Sequence, residues 1–113
     1  MHEQSIVEAL LAKVLEVAEG ENAGKILRIY LVVGELSGVQ TDSVEFYFGF
    51  LSRDTIAAQA SLFFTCSPTQ VRCRNCYTVF TPINLNITCP ECHERKIEII
   101  SGAELYLESL EVE

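Results

Sequence analysis

The sequence has few basic residues and no long apolar run. Its 113 residues include only eight Lys and Arg against sixteen Asp and Glu, giving a formal net charge of −8 at pH 7. Because phosphate binding needs clustered cations, this balance argues against nucleic acid as the main partner. No apolar stretch approaches the ~20 residues of a membrane helix, and the opening MHEQSIVEAL lacks the basic region of a secretory signal. We therefore expect a soluble cytoplasmic protein without a membrane anchor.

The sequence also lacks the usual signatures of an enzyme. It contains no recognisable Ser/His/Asp set, no glycine-rich loop for phosphate and no metal motif that leaves an open coordination position. Glu35, in the turn GELSGV, is the nearest candidate for a catalytic acid, but a single glutamate in a turn is more often structural. We therefore predict that the protein is not an enzyme.

Four of the five cysteines lie in a segment of unusual charge. Residues 72–96 hold four basic and two acidic residues, a balance of +2, whereas the rest of the chain has a balance of −10. Thiols stay reduced inside the cell, where cysteines indicate metal or redox chemistry rather than disulfides. The segment therefore has the composition of a separate small module.

The cysteines of this segment form two CxxC pairs, CRNC and CPEC, separated by twelve residues. Two such turns can direct four thiolates at one ion, with zinc–sulfur distances of about 2.3 Å. We predict a structural Zn(II) site, with redox or iron–sulfur chemistry as the alternative. A closed tetrathiolate site stabilises a fold and does not catalyse, and the neighbouring basic residues would offset its charge. The predicted zinc ligands are Cys73, Cys76, Cys89 and Cys92.

Apolar periodicity predicts helices and strands on either side of this module. The segment 42–51 fits both a strand and a helix, and we favour the helix. Ser5 and Glu8 resemble a capping box, which places the start of the first helix near Ser5. A bulge between Leu107 and Leu110 would bring both leucines to one face of the last strand. The predicted elements are helices at 6–18 and 42–51 and strands at 26–33, 60–66, 97–100 and 103–112.

The first residues offer a set of nitrogen donors. The terminal amine has a pKa near ~7.7–8 and the imidazole of His2 near ~6.5, so both are available close to neutral pH. The amine of a retained Met1, the amide and imidazole of His2 and the amide of Glu3 could form a planar chelate. Nickel(II) and copper(II) favour such ligands. The alternative is a solvated histidine without a function.

Two further residues could have chemical roles. His93 directly follows the second cysteine pair, and its position favours a surface residue over a zinc ligand or a supporting group. Cys66 lies in an apolar predicted strand, and we expect a buried, inert thiol there.

Several motifs together resemble the HypA/HybF family of nickel-incorporation proteins. They are MHEQS at the start, VGELSGV at 33–39, the two cysteine pairs and SGAEL at 101–105. The resemblance implies an α+β fold in which two helices pack on a small mixed β-sheet, with an inserted zinc-ribbon-like module. The implied domains are a nickel-binding domain of residues 1–70 plus 97–113 and a zinc-binding module of residues 71–96.

The resemblance also implies a function. Family members act as metallochaperones that deliver Ni(II) for maturation of [NiFe]-hydrogenase, and some also serve urease. Nickel ligation would involve Met1, His2 and Glu3. The implied partners are a HypB-type GTPase and the hydrogenase large-subunit precursor, and a homodimer is left open. The alternative is a zinc-ribbon module for nucleic acid or protein interaction without a nickel function.

The chain departs from the family pattern after each cysteine pair. Many members have a glycine there, whereas this chain has Tyr77 and His93. A histidine beside the second pair is linked in some members to altered zinc ligation. The resemblance therefore leaves the role of His93 open.

Overall fold

The computed structural model describes residues 3–84 and 86–113. Within these ranges the helices are α1 (Glu3–Gly20) and α2 (Thr41–Leu51). The strands are β1 (Ile26–Gly34), β2 (Ser61–Ser67), β3 (Gln70–Cys73), β4 (Val79–Phe80), β5 (Ile97–Ser101) and β6 (Leu105–Val112). Both helices and the four strands predicted outside the cysteine segment are confirmed, whereas β3 and β4 were not predicted. Neither helix in these ranges combines the length and the apolar character that spanning a membrane requires.

Helix α1 packs one apolar stripe against the core of the protein. Its buried residues recur at spacings of three and four, as expected for an amphipathic helix. The chain is already helical at Glu3, so Ser5 lies inside the helix and the predicted capping box is wrong. Glu3 instead places a carboxylate in the first turn, where the helix dipole favours negative charge. The buried residues are Val7, Leu10, Leu11, Val14 and Ala18.

Both helices pack on a mixed three-stranded sheet, which we call sheet 1. Its order is β2-β1-β6, with β2 parallel and β6 antiparallel to the central strand β1. Helix α2 makes the connection between β1 and β2, and its Val44 and Phe48 join the core with Ile29 and Leu31 of β1. Phe46 on the same helix remains 70% exposed. The preference for a helix at 42–51 is thus confirmed.

A bulge in β6 reconciles the two halves of that strand. Tyr30 pairs with Ser109 and the next residue, Leu31, pairs with Leu107, so one residue of β6 has no counterpart. Leu107 and Leu110 consequently both pack against the core. This register shift confirms the predicted bulge.

The remaining strands form a second antiparallel sheet, sheet 2, with the order β4-β3-β5. The radius of gyration is 17.5 Å and the longest dimension is 54 Å. A single compact domain of this length would have a radius near ~13 Å. The two sheets therefore give an elongated molecule. Strand β5, at residues 97–101, pairs with β3 of sheet 2, while the division into 1–70 plus 97–113 and 71–96 stays a prediction.

Two glycines hold the junction between the sheets. The amide of Gly34 donates to the carbonyl of Glu104 at 2.7 Å, and the amide of Leu36 donates to the carbonyl of Gly102 at 2.6 Å. Gly102 has a φ of 91°, a conformation that favours glycine. A Cβ on Gly34 would lie 2.3 Å from the carbonyl oxygen of Gly102. The motifs GELSG and SGAEL therefore meet here because their backbones cross at close range.

Candidate metal centre

The two CxxC pairs form matching turns. The amide of Tyr77 donates to the carbonyl of Cys73 at 2.9 Å, and the amide of His93 donates to the carbonyl of Cys89 at 3.0 Å. Each turn ends in a left-handed residue, with φ of 65° at Tyr77 and 64° at His93. The two turns therefore share one backbone shape, and each closes at a position that glycine would occupy with less strain.

Backbone amides also point at the sulfur atoms. The amide of Asn75 lies 3.4 Å from the sulfur of Cys73, and the amide of Glu91 lies 3.4 Å from the sulfur of Cys89. These contacts are within reach of N–H···S hydrogen bonds to the first cysteine of each pair. Such donors stabilise the thiolate form, which is the form that binds metal.

The four sulfur atoms form one compact cluster. Cys73 and Cys92 are 3.5 Å apart at their sulfurs, Cys76 and Cys89 are 3.6 Å apart, and all four lie within 4.8 Å of one another. Sulfurs at the corners of a tetrahedron, each ~2.3 Å from a central zinc, would be ~3.8 Å apart. The donor set and its spacing therefore fit Zn(II), and the structure brings together all four predicted ligands.

The environment of the cluster affects its thiols differently. Cys73 and Cys89 are fully buried, whereas Cys76 is exposed. The hydroxyl of Thr78, 3.1 Å from the sulfur of Cys76, is the main cause that lowers the pKa of this thiol to about 6. The pKa of Cys92 is also lowered, chiefly through the side chain of Asn75. A backbone hydrogen bond at Cys76 lowers the pKa of Cys73, but burial of this thiol raises it, and the net direction is upward. The thiolate form is therefore favoured at Cys76 and Cys92 but not at Cys73.

Thr78 and Asn75 are supporting residues that the sequence analysis missed. A hydroxyl two positions after a cysteine, or an amide between two cysteines, is common in turns and carries little signal alone. Their effect on the thiols becomes visible only when the turn geometry brings the groups together.

The other candidate residues lie outside the cluster. His93 is exposed, and the described cluster consists of the four sulfurs. Cys66 is exposed, so the prediction of a buried thiol is wrong. It lies one residue from the end of β2, an edge strand that pairs only with β1. An apolar sequence therefore does not ensure burial at the end of an edge strand.

The predicted nickel ligands fall at the start of the chain. Met1 and His2 lie outside the described residues, and Glu3 is the first residue of α1. Ile6 of α1 and Leu105 of β6 line one groove, while Gly24, after α1, donates to the carbonyl of Glu113. Helix α1 and strand β6 therefore run side by side in one direction. The first turn of α1 lies at the same end of sheet 1 as the junction with sheet 2.

Comparison with known proteins identifies the family. The model of the family described as "Hydrogenase/urease nickel incorporation, metallochaperone, hypA" matches residues 1–112. The chain belongs to the HypA family. The hydrogenase maturation factor HypA of Dehalococcoides mccartyi is 44% identical over 113 residues, covering 100% of this chain and 95% of that protein. Its counterpart in Caldanaerobacter subterraneus subsp. tengcongensis is 38% identical over 114 residues, with both chains fully covered.

Solved HypA structures have the same fold. The solution structure of the Ni metallochaperone HypA from Helicobacter pylori has a TM-score of 0.78 at 30% identity and covers 99% of this chain and 97% of its own. Another HypA solution structure has a TM-score of 0.82 at 31% identity, with coverages of 99% and 96%. These similarities confirm the predicted α+β fold. The HypA family is described as a metallochaperone family rather than as enzymes, in agreement with the sequence analysis.

Proposed function

We propose that this HypA-family chain binds one Ni(II) through Met1, His2 and Glu3 and delivers it in the cytoplasm for maturation of [NiFe]-hydrogenase. Urease is the second recipient to test. The observation that carries the proposal is the match of residues 1–112 to a family of hydrogenase and urease nickel-incorporation proteins. The first residues supply the nitrogen donors that nickel prefers.

The position of Glu3 supports this ligand set. The first amide groups of a helix have no partner within the helix, and Glu3 is the first residue of α1 as described. We infer that its amide nitrogen, which belongs to this first turn, can join the amine of Met1 with the amide and imidazole of His2. A site at the end of the chain is open to an acceptor, and transfer requires such access.

Zn(II) has a different role in this proposal. The four cysteines hold it as a permanent structural ion, since a closed tetrathiolate site leaves no position for exchange with a partner. The metal would link the two turns of the cysteine module to one another. Sheet 2 would then provide a rigid body beside the nickel-binding end of sheet 1.

The proposed partners follow from the maturation role of the family. We propose a HypB-type GTPase and the large-subunit precursor of the hydrogenase as the proteins that exchange nickel with this chain. A homodimer is a further assembly to test. Size measurement by light scattering, with and without nickel, separates a monomer from a dimer directly.

Nickel titration of a histidine variant tests the ligand set. We expect His2→Ala to lose nickel binding while keeping zinc and the fold. His93→Ala is the matched control, because it removes the only other histidine of the sequence and should keep nickel affinity. Calorimetry gives the affinities and mass spectrometry the zinc content. Full nickel affinity in His2→Ala would contradict the proposal.

The same titration has a predicted pH dependence. The neutral imidazole is the ligand, so nickel affinity should fall as the pH decreases through ~6.5, where a free imidazole becomes protonated. Constant affinity between pH 8 and pH 5.5 would argue against an imidazole ligand.

A further inference from the structure

A cleft lies at the junction of the two sheets, apart from the proposed nickel and zinc sites. Its volume is about 380 Å³, at the lower end of the range for ligand pockets. One wall is the apolar face of sheet 2, formed by Val71, Ile97 and Ile99. Pro82 and Ile87, in the segment that follows β4, also line the cleft. The cleft therefore has room and apolar surface for one extended side chain.

The wall of sheet 2 is apolar because its residues alternate in direction. Val71 pairs with Ile99, while Arg72 pairs with Glu98 and forms an ion pair with it at 3.2 Å. The charged pair therefore belongs to the opposite face of the sheet. Ile99 is still 51% exposed, so the apolar wall is incompletely covered.

One end of the cleft is polar and incompletely paired. Thr69 lines it and is only 7% exposed, and its hydroxyl has no hydrogen-bond partner among the described residues. A buried hydroxyl without a partner is unfavourable, so such groups usually have one. Glu35 lines the same end, and its Oε2 accepts the amide of Thr69 at 3.2 Å. The carboxylate of Glu35 therefore offers an acceptor to a ligand that brings hydrogen-bond donors, whereas the hydroxyl oxygen of Thr69 is buried too deeply to contact one.

We propose that this cleft receives a lysine side chain of a partner polypeptide. The four methylene groups of lysine can lie along the apolar wall while the ammonium contacts the polar end. The ammonium donates only, which suits the carboxylate of Glu35. The net charge of −8 further favours a basic partner over an acidic one. The cleft is thus a docking point at the junction, and it functions independently of nickel ligation.

A titration with small probes tests the chemistry of the cleft. The zinc-loaded, ¹⁵N-labelled full chain is titrated with n-butylammonium, 1-butanol and butanoate. We expect saturable shifts at the amides of Thr69, Val71 and Ile99 with butylammonium, and about tenfold weaker binding of the alcohol, which cannot make a charge-assisted bond. Equal binding of the alcohol, stronger binding of the carboxylate, or shifts confined to other parts of the chain would overturn the proposal.

A second pair of probes separates a polypeptide from a free amine. Acetyl-Ala-Lys-Ala-amide should bind about tenfold more tightly than the peptide with norleucine in place of lysine. If butylammonium binds but the two peptides bind equally, the cleft is a site for small amines and the docking proposal is wrong.

Variants link the binding to the polar end. Glu35→Gln should weaken binding of the lysine peptide about tenfold, because it replaces the charged acceptor of the ammonium by a neutral one. Thr69→Val removes a buried hydroxyl and should keep the affinity. The matched controls Thr65→Val and Glu104→Gln change exposed residues that do not line the cleft and should leave affinity unchanged. The melting temperature of Thr69→Val should be unchanged or higher, because its buried hydroxyl has no partner to lose. Unchanged affinity in Glu35→Gln would refute the assignment.

Discussion

Replacing Gly34 by alanine should strongly destabilise the junction of the two sheets. The new Cβ would lie 2.3 Å from the oxygen and 2.4 Å from the carbon of the Gly102 carbonyl, and 2.8 Å from the nitrogen of Glu104. All three are backbone atoms, so no side-chain rotation relieves the contact. Separating the segments would break the bonds of Gly34 to Glu104 and of Leu36 to Gly102. At ~1 kcal/mol each, with strain added, the free energy of unfolding should fall by about 3 kcal/mol.

Gly49→Ala is the matched control for this variant. Gly49 lies within α2, and a Cβ there would meet no atom within 4 Å. Alanine should therefore raise the free energy of unfolding by about 1 kcal/mol through helix propensity. Urea unfolding of the zinc-loaded proteins, followed by circular dichroism, measures both changes. A Gly34→Ala variant within about 0.5 kcal/mol of the parent chain would refute the account of the junction.

Three other predictions concern the two cysteine turns, the thiol of Cys66 and the carboxylate of Glu111 on β6. Tyr77→Gly and His93→Gly should each raise the free energy of unfolding by roughly 0.5–1 kcal/mol, because the cost of a left-handed backbone for a residue with a side chain exceeds the entropy that glycine adds to the unfolded chain. Equal or lower stability in urea unfolding would contradict this prediction. Cys66 should be the single thiol that a disulfide reagent modifies rapidly in the zinc-loaded protein, with all five reacting after chelation and denaturation; rapid reaction of several thiols before chelation would argue against a zinc site. Hydrogen bonds donated by Tyr30 and then by Arg28 lower the pKa of the Glu111 carboxyl group, so the ionised carboxylate stabilises the fold above pH 4.5 and this contribution is lost as the pH falls through the lowered pKa. Tyr30→Phe should raise the pKa of Glu111 in a carboxyl NMR titration. An unchanged pKa would show that the phenol is not a hydrogen-bond partner.

The sequence predicted the elements whose signal is local. The spacing of apolar residues in α1 and the β-branched run of β1 depend on the burial of one face or of a whole strand, and both elements are where expected. The bulge in β6 was also predictable, since in a regular strand the apolar residues before and after it would face opposite sides of the sheet, although only one side faces the core. The clustering of the four cysteines was predictable because two CxxC turns at this spacing can direct four sulfur atoms at one point.

Features that depend on distant contacts were not predictable in the same way. The exposure of Cys66 results from its place at the end of an edge strand, which the sequence does not state. Strand β5 pairs with β3 of sheet 2, whereas β6, the next strand along the chain, pairs with β1 of sheet 1, and the local sequence does not indicate this division. The lowered pKa of Cys76 depends on the direction of one hydroxyl. In each case tertiary geometry decides among options that are locally equivalent.

Nickel titration of a chain with a displaced amino terminus tests the central claim most directly. A Gly-Ser-Gly-Ser extension before Met1 separates the free amine from His2, whereas the same extension after Glu113 is the control. If the amine, the first amides and the imidazole bind nickel as one unit, the amino-terminal extension should weaken Ni(II) binding by at least about tenfold, with zinc content unchanged. The carboxyl-terminal extension should have no effect. Equal nickel affinity in the two extended chains would contradict the proposed site.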